Sequence, residues 1–382
     1  MINTKSFEEV YVNRPTHYVE CGGRFEIIGN HTDHNHGLCL AATCDLKIYG
    51  YAEKNNSNVI NVTSVGYRPF YVNTHYLAKN EKEKSSSLAL VRGICDYFVK
   101  HGYKIGGFDL LIESTIYAGA GVSSSAAFES LIAKTLSVLF NDDKIAKIEL
   151  AKAGQYAEVE YFGKKCGLLD QIGTGYGNVS CIDFEDMSNV QVSEIAFPFD
   201  DLKFVIVNTG GSHAGLDSLY SAIPQDMWNA SKKAGVNFLR ETTLEKVLAT
   251  EGLTEYEKNR AIHFFGENER VLKAKEALLT KDKNEFLEAV NGSRYSSTNF
   301  LKNMMVENHY KGSPLEAADL AMEILEGKGA CKINGGGFAG SIICVVPTDI
   351  IDNFIEKMAE KYSKENVRVV TVNPLGAYIK TL

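Results

Sequence analysis

Residues 117–130 read YAGAGVSSSAAFES, and this stretch limits the local fold more than any other in the chain. Gly119 and Gly121 allow backbone to approach a ligand closely, because no Cβ stands in the way. Three successive serines follow where a helix begins, and AAFESLIAKTLSVLF continues it. FDLLIES at 108–114 has strand character. The expected order is strand, glycine turn, helix. The N–H groups and partial positive charge of a helix start hold phosphate oxygens, and serine hydroxyls add hydrogen bonds or a metal ligand. No Gly-Lys-Ser/Thr follows, so this is not a Walker loop. Ser124 stands where a dinucleotide fingerprint needs its third glycine. Alone, such a helix entry serves as a structural cap as readily as a phosphate cradle.

Three other segments carry chemistry. Residues 22–37, GGRFEIIGNHTDHNHG, crowd Arg24, Asn30, His31, Asp33, His34 and His36 beside an apolar strand. Polar groups this dense need partners if buried. A sugar supplies hydroxyls; Asp33 accepts strongly, and Asn30 both donates and accepts. A metal site built from His31, Asp33, His34 and His36 is the competing reading. A polar loop with surface histidines, His36 among them, is the plain one. Residues 156–173, YAEVEYFGKKCGLLDQIG, offer Glu158 near a helix end and Asp170 after a glycine-bounded turn. Near phosphate, one carboxylate would hold Mg²⁺ and the other accept or orient a hydroxyl proton. On the residues alone, Glu160 is as good an acid as Glu158. Residues 331–341, CKINGGGFAGS, form either a tight bend between strands or a loop over a ligand or a phosphate loop.

Composition narrows the partners. A formal net charge of -8 argues against nucleic acid or an anionic membrane, without excluding an anionic substrate in a basic pocket. The eight cysteines are scattered with no C-x-x-C pair, so neither a zinc ribbon nor a redox motif is expected. Buried free thiols are. The N-terminus lacks the apolar core of a secretory signal, and no run approaches a membrane span. The expected location is the cytoplasm.

At roughly 150 residues per domain, 382 residues suit two or three domains, or two large ones. THYVE (16–20) and FEII (25–28) read as short strands around Gly22 and Gly23, and CDLKIYGYAE (44–53) and VINVTSV (59–65) as paired strands. Residues 79–87 read as a solvated loop and cap, and 88–102 and 147–162 as helices. FVIVNT (204–209) is a buried strand type. Residues 226–330 are largely helical by pattern, with breaks near 292 and 312. SIICVVP, then a capped helix in TDIIDNFIEKMAEKY, then VRVVTV complete an α+β second half. The boundary falls near residue 200.

Together and in this order, the four segments resemble the galactokinase branch of the GHMP kinases. GGRFEIIGNHTDHNHG is similar to its sugar-binding motif, YAGAGVSSSAAFES to its phosphate-binding motif, GLLDQ to the stretch with the catalytic aspartate, and KINGGGFAGS to the third family motif. The resemblance implies a two-domain α+β GHMP kinase fold. A ribosomal protein S5 domain 2-like domain would cover 1–200 and a ferredoxin-like α+β domain 201–382, with the active site between them. It implies ATP- and Mg²⁺-dependent phosphorylation of a sugar at C1, galactose first. Another hexose, an amino sugar or a uronic acid is the alternative acceptor, and a non-catalytic galactose and ATP sensor the further alternative.

By resemblance, Asp170 would face the C1 hydroxyl with Arg24 beside it. Ser125 and Glu158 would bind Mg²⁺, Glu158 being favoured over Glu160 by its spacing from Asp170. Gly119, Ala120, Gly121, Val122, Ser123, Ser124 and Ser125 would cradle the phosphates. Asp33, Asn30, His31 and Tyr220 would meet the sugar. The partners are the sugar and ATP, with no nucleic acid or membrane, in a monomer or weak homo-oligomer. Four features depart from the family pattern. Asn30 replaces a usual Glu, His34 a usual Tyr, and Tyr117 a usual Pro, while SAIPQDM (221–227) replaces an arginine-rich stretch. Asn for Glu removes a charge and adds a donor, which shifts hydroxyl preference.

Overall fold

The computed structural model describes residues 1–117, 119–211 and 215–382. The strands are β1 (His17–Ile28), β2 (Leu38–Lys54), β3 (Val59–Ser64), β4 (Phe70–Asn73), β5 (Phe108–Ser114), β6 (Val179–Asp183), β7 (Gln191–Ile195), β8 (Leu202–Asn208), β9 (Ala330–Asn334), β10 (Ser341–Pro347), β11 (Val367–Val370) and β12 (Tyr378–Thr381). The first sheet runs β12-β1-β2-β5-β3-β4, with β6 and β7 attached through β2. The second runs β11-β8-β10-β9 and is antiparallel throughout.

β2 is long enough to serve two neighbours on one side. Its first residues pair with β6 and its last with β5. The early part is buried on both faces, and the later part alternates. The outer half of the sheet packs Val19, Ile48, Ile60 and Leu110 against Leu90 and Ile94 of the helix Ser87–Lys100 and Leu131 of the helix Ser124–Asn141.

The inner half shares its core with the second sheet. Phe25 and Ile27 of β1 pack with Phe204 and Ile206 of β8 and with Phe286 of the helix Lys283–Ser296. The rings of Phe25 and Phe204 lie 4.6 Å apart. Each such fully buried side chain is worth about 1.5–3 kcal/mol. The opposite face of the second sheet, with Val205, Val207 and Cys344, is covered by the helices Pro314–Leu325 and Ile351–Tyr362. One core therefore joins the two halves, and Asn208 of β8 and Asn334 of β9 reach the first half at a common seam.

Several expectations change. The segments at 16–20 and 25–28 are one strand, whose register shifts between Gly22 and Arg24 and again between Glu26 and Ile28. β2 and β3 do not pair; β5 lies between them, parallel to β3. Alternation identifies a strand's faces but not its partner. Gly292 breaks nothing: it lies inside the helix Lys283–Ser296, where a Cβ would meet the Arg270 side chain. The break falls at Lys281, whose φ of 60° ends the preceding helix. The helix in TDIIDNFIEKMAEKY has no side-chain cap. The helix expected over 147–162 ends at Tyr156 and continues as a wider π turn, Ala157–Phe162. Finally, β12 returns to pair with β1, so the last residues lie in the first sheet.

Candidate active site

β1 alternates across its sheet. Phe25 and Ile27 face the shared core, leaving Arg24 and Glu26 toward the seam. Arg24 reaches the short helix Leu169–Gly175, where its Nε and NH2 both lie 2.8 Å from Asp170 Oδ1. Its NH1 donates to the Gly121 carbonyl at 3.1 Å. The other carboxylate oxygen, Oδ2, accepts from Ser123 Oγ at 2.6 Å. Burial pushes the Asp170 carboxyl up. The Arg24 charge and the Ser123 hydroxyl overcome that and hold it below the usual carboxylate range. Asp170 is therefore an ionised acceptor at the cavity, with 28% of its side chain exposed.

The glycine turn is seated on both sheets. A Cβ on Gly23 would stand 2.5 Å from the Val122 carbonyl, and that carbonyl accepts from Arg24 N at 2.9 Å. From the second sheet, Asn208 Nδ2 donates to Gly119 O at 2.9 Å and Asn334 Nδ2 to Gly121 O at 3.2 Å. Ala120 and Val122 bury their side chains in the shared core. Ser123 is left-handed at φ 53°, and no side chain caps the helix that starts at Ser124. The first N–H groups of that helix lie outside its ladder. They form an uncapped positive helix start beside Arg24 and Asp170, suited to phosphate.

Glu158 points inward from the π turn and is 1% exposed, whereas Glu160 faces solvent. Glu158 Oε1 accepts from Ser125 Oγ at 3.4 Å and Lys164 Nζ at 3.0 Å, and its Oε2 accepts from Gln171 Nε2 at 3.0 Å. The same amide donates to Glu129 Oε2 at 2.9 Å. Burial, and next the neighbouring Glu158 charge, push Glu129 up to about 8. Hard oxygen donors at a helix start, one of them a carboxylate, fit Mg²⁺. The Lys164 ammonium at Glu158 shows that the position takes positive charge.

A cavity of about 190 Å³ opens beside Asp170, lined by Arg24, Glu26, Asn30, Asp33, His34 and the glycines 335–336. Larger cavities elsewhere, about 480 and 450 Å³, gather none of these groups. His31 donates from Nε2 to the Gly336 carbonyl at 2.9 Å, since that oxygen only accepts. Burial drives its pKa down to about 3, so the ring is neutral. Tyr220 does not line the cavity; its hydroxyl donates to Gly337 O at 2.6 Å behind it. The glycine segment thus closes the cavity with its 335–336 backbone, while Asn334 at its start holds the phosphate turn. The histidines do not converge on a metal. His36 stacks on Phe238 with centroids 3.7 Å apart and is half-buried. Among the described residues no three His, Cys, Asp or Glu cluster as a metal site.

The sequence motifs missed the supports. The helix Glu255–Thr280 contributes Glu267, whose carboxylate accepts from Gly29 N and Asn30 N, and His263, whose Nε2 donates to the Asn30 carbonyl at 2.8 Å. Asn303 Nδ2 donates to Asn30 Oδ1 at 2.7 Å. Glu26 and Lys332 form an ion pair at 2.6 Å, with Lys332 wholly buried. The available signal was a lone charge in each apolar strand, FEII and CKIN.

Comparison with known proteins adds to this geometry. Residues 5–54 match the galactokinase galactose-binding signature, and residues 89–178 match the GHMP kinases N terminal domain. The galactokinase of Clostridium acetobutylicum is 30% identical over 90% of this chain and 88% of its own. That of Clostridium tetani is 28% identical over 94% and 91%. Among solved structures, Lactococcus lactis galactokinase complexed with galactose superposes with a TM-score of 0.83 at 24% identity, covering 99% of this chain and 98% of that one. L. major mevalonate kinase in complex with R-mevalonate gives 0.61 at 14% identity over 93% and 96%.

Proposed function

Because the chain belongs to the galactokinase family of the GHMP kinases, we propose that it transfers the γ-phosphate of ATP to the C1 hydroxyl of galactose in the cavity beside Asp170. The observation that carries this reading is the Arg24–Asp170–Ser123 constellation set against an uncapped helix start. Asp170, held ionised, accepts and orients the attacking hydroxyl. Phosphoryl transfer asks little of the nucleophile and much of positioning and charge. Arg24 does both, keeping Asp170 charged and standing next to the phosphate turn. The first N–H groups at 123–125 stabilise charge on the transferring oxygens.

Mg²⁺ fits Ser125 and Glu158 and would neutralise phosphate charge there. Asp33 and His34 line the cavity where the sugar would sit, and Gly335 and Gly336 form another part of its wall. Tyr220 and His31 support this reading as positioning residues, because both bind the glycine segment. We place the protein in the cytoplasm. All eight cysteines are unpaired, and among the described residues no helix is long and apolar enough to cross a membrane.

The test is a panel of hexoses, amino sugars and uronic acids assayed by ADP release with ATP and Mg²⁺. Galactose turning over best supports the reading. Inert galactose beside an active second sugar transfers the reading to that sugar. Binding of galactose and ATP without turnover of any sugar would identify a sensor instead.

A further inference from the structure

We propose that Glu26, and not the side chain at position 30, is the carboxylate that reads the sugar, accepting a hydrogen bond from a hydroxyl remote from C1. This rests on the kinase reading above. Glu26 follows Arg24 by two residues on the same face of β1, and both line the cavity. Two residues of strand span roughly 6.6 Å. Arg24 marks the phosphoryl end through its bonds to Asp170 and Gly121. Glu26 therefore faces the part of a bound hexose away from the reacting hydroxyl.

Its charge state is set by Lys332, whose side chain is 0% exposed and whose Nζ lies 2.6 Å from Glu26 Oε1. A buried ammonium requires its partner to be ionised. Glu26 is thus an acceptor at both oxygens. Oε1 is filled by Lys332 and by Asn30 Nδ2 at 3.0 Å. Oε2 has only the shared contact with Asn30 Nδ2 at 3.3 Å among the described residues. It retains acceptor capacity at the cavity wall.

Asn30, expected to meet the sugar, is committed elsewhere. Its two amide protons go to Glu26 and to Gly335 O at 2.7 Å, and its Oδ1 takes Asn303. With 1% exposure it aims Glu26 and ties the glycine segment to β1. It is a positioning residue. An acceptor-only carboxylate selects a substrate with a hydroxyl at one place, because an analogue lacking that hydroxyl leaves a buried oxygen unpaired.

The experiment compares galactose with its 2-, 3-, 4- and 6-deoxy analogues by kcat/KM. The enzymes are wild type and the paired variant Glu26→Gln/Lys332→Met, which removes both buried charges together. In wild type one analogue loses roughly 10- to 100-fold, the range of a hydrogen bond to a charged group. In the paired variant that gap closes for the same analogue and persists for the others. An unchanged gap overturns the proposal and leaves Glu26 as a structural partner of Lys332. If wild type turns over none of these sugars, the galactose reading fails first and separately. If the paired variant does not fold, a crystal of the wild-type chain with galactose decides. A sugar hydroxyl other than O1 within hydrogen-bond distance of Glu26 Oε2 supports the proposal, and its absence overturns it.

Discussion

Ser123 Oγ lies 2.6 Å from Asp170 Oδ2, on the carboxylate oxygen that Arg24 leaves open. The same serine is the last residue before the helix Ser124–Asn141, so the phosphate turn and the carboxylate are joined by one hydrogen bond. That bond gives Asp170 its orientation as well as part of its low pKa. Asp170→Asn keeps the shape and removes the charge. Turnover should fall by roughly 10²- to 10⁴-fold while the melting temperature changes little. Substantial residual turnover would contradict the role given to Asp170.

Arg24→Gln should remove the largest opponent of burial at Asp170, leaving the Ser123 hydroxyl and the Lys164 charge. Its depressed folded pKa means that its favourable contribution is complete above the ordinary value, about 3.9. It is lost only as pH falls through the lower folded value. The wild-type rate should therefore show no Asp170-linked fall between about pH 5 and 8. In Arg24→Gln the acid limb of kcat against pH moves toward neutrality. A limb in the same place as wild type would count against the pairing.

Lys164 and Mg²⁺ would compete for Glu158 Oε1. Removing the ammonium by Lys164→Ala should lower the Mg²⁺ concentration for half-maximal turnover, and Glu158→Gln should raise it. A magnesium titration at fixed ATP reads both. Equal half-saturation in all three proteins would remove Glu158 from the metal site.

Glu129, pushed up to about 8, binds a proton in the folded protein that it gives up in the unfolded chain near 4.3. Its contribution is full below the unfolded value and is lost as pH rises toward about 8. Melting temperatures between pH 5 and 9 should show a downward slope that Glu129→Gln flattens. Parallel curves for the two proteins would reject it.

Lys332→Met alone strands the Glu26 carboxylate, and breaking such a buried pair costs about 3–5 kcal/mol. Urea unfolding should show that loss in the single variant and recover most of it in Glu26→Gln/Lys332→Met. Gly23→Ala acts differently. Its Cβ would press on the Val122 carbonyl, costing about 1–3 kcal/mol and raising KM for ATP as the phosphate turn shifts.

The sequence alone determined what local patterns can carry. FDLLIES is the strand Phe108–Ser114, and the serine run opens the helix Ser124–Asn141, because period and backbone freedom are properties of neighbouring residues. The four motifs likewise announced the family, since each is a contiguous run. Only the tertiary structure decided who meets whom. Arg24 and Asp170 are 146 positions apart, Asn30 and Asn303 273, and Glu26 and Lys332 306. Nothing in a single strand's alternation names a partner at such distance. A buried charge or amide reveals its use only when packing shows which of its donors and acceptors are already spent and which still face the cavity.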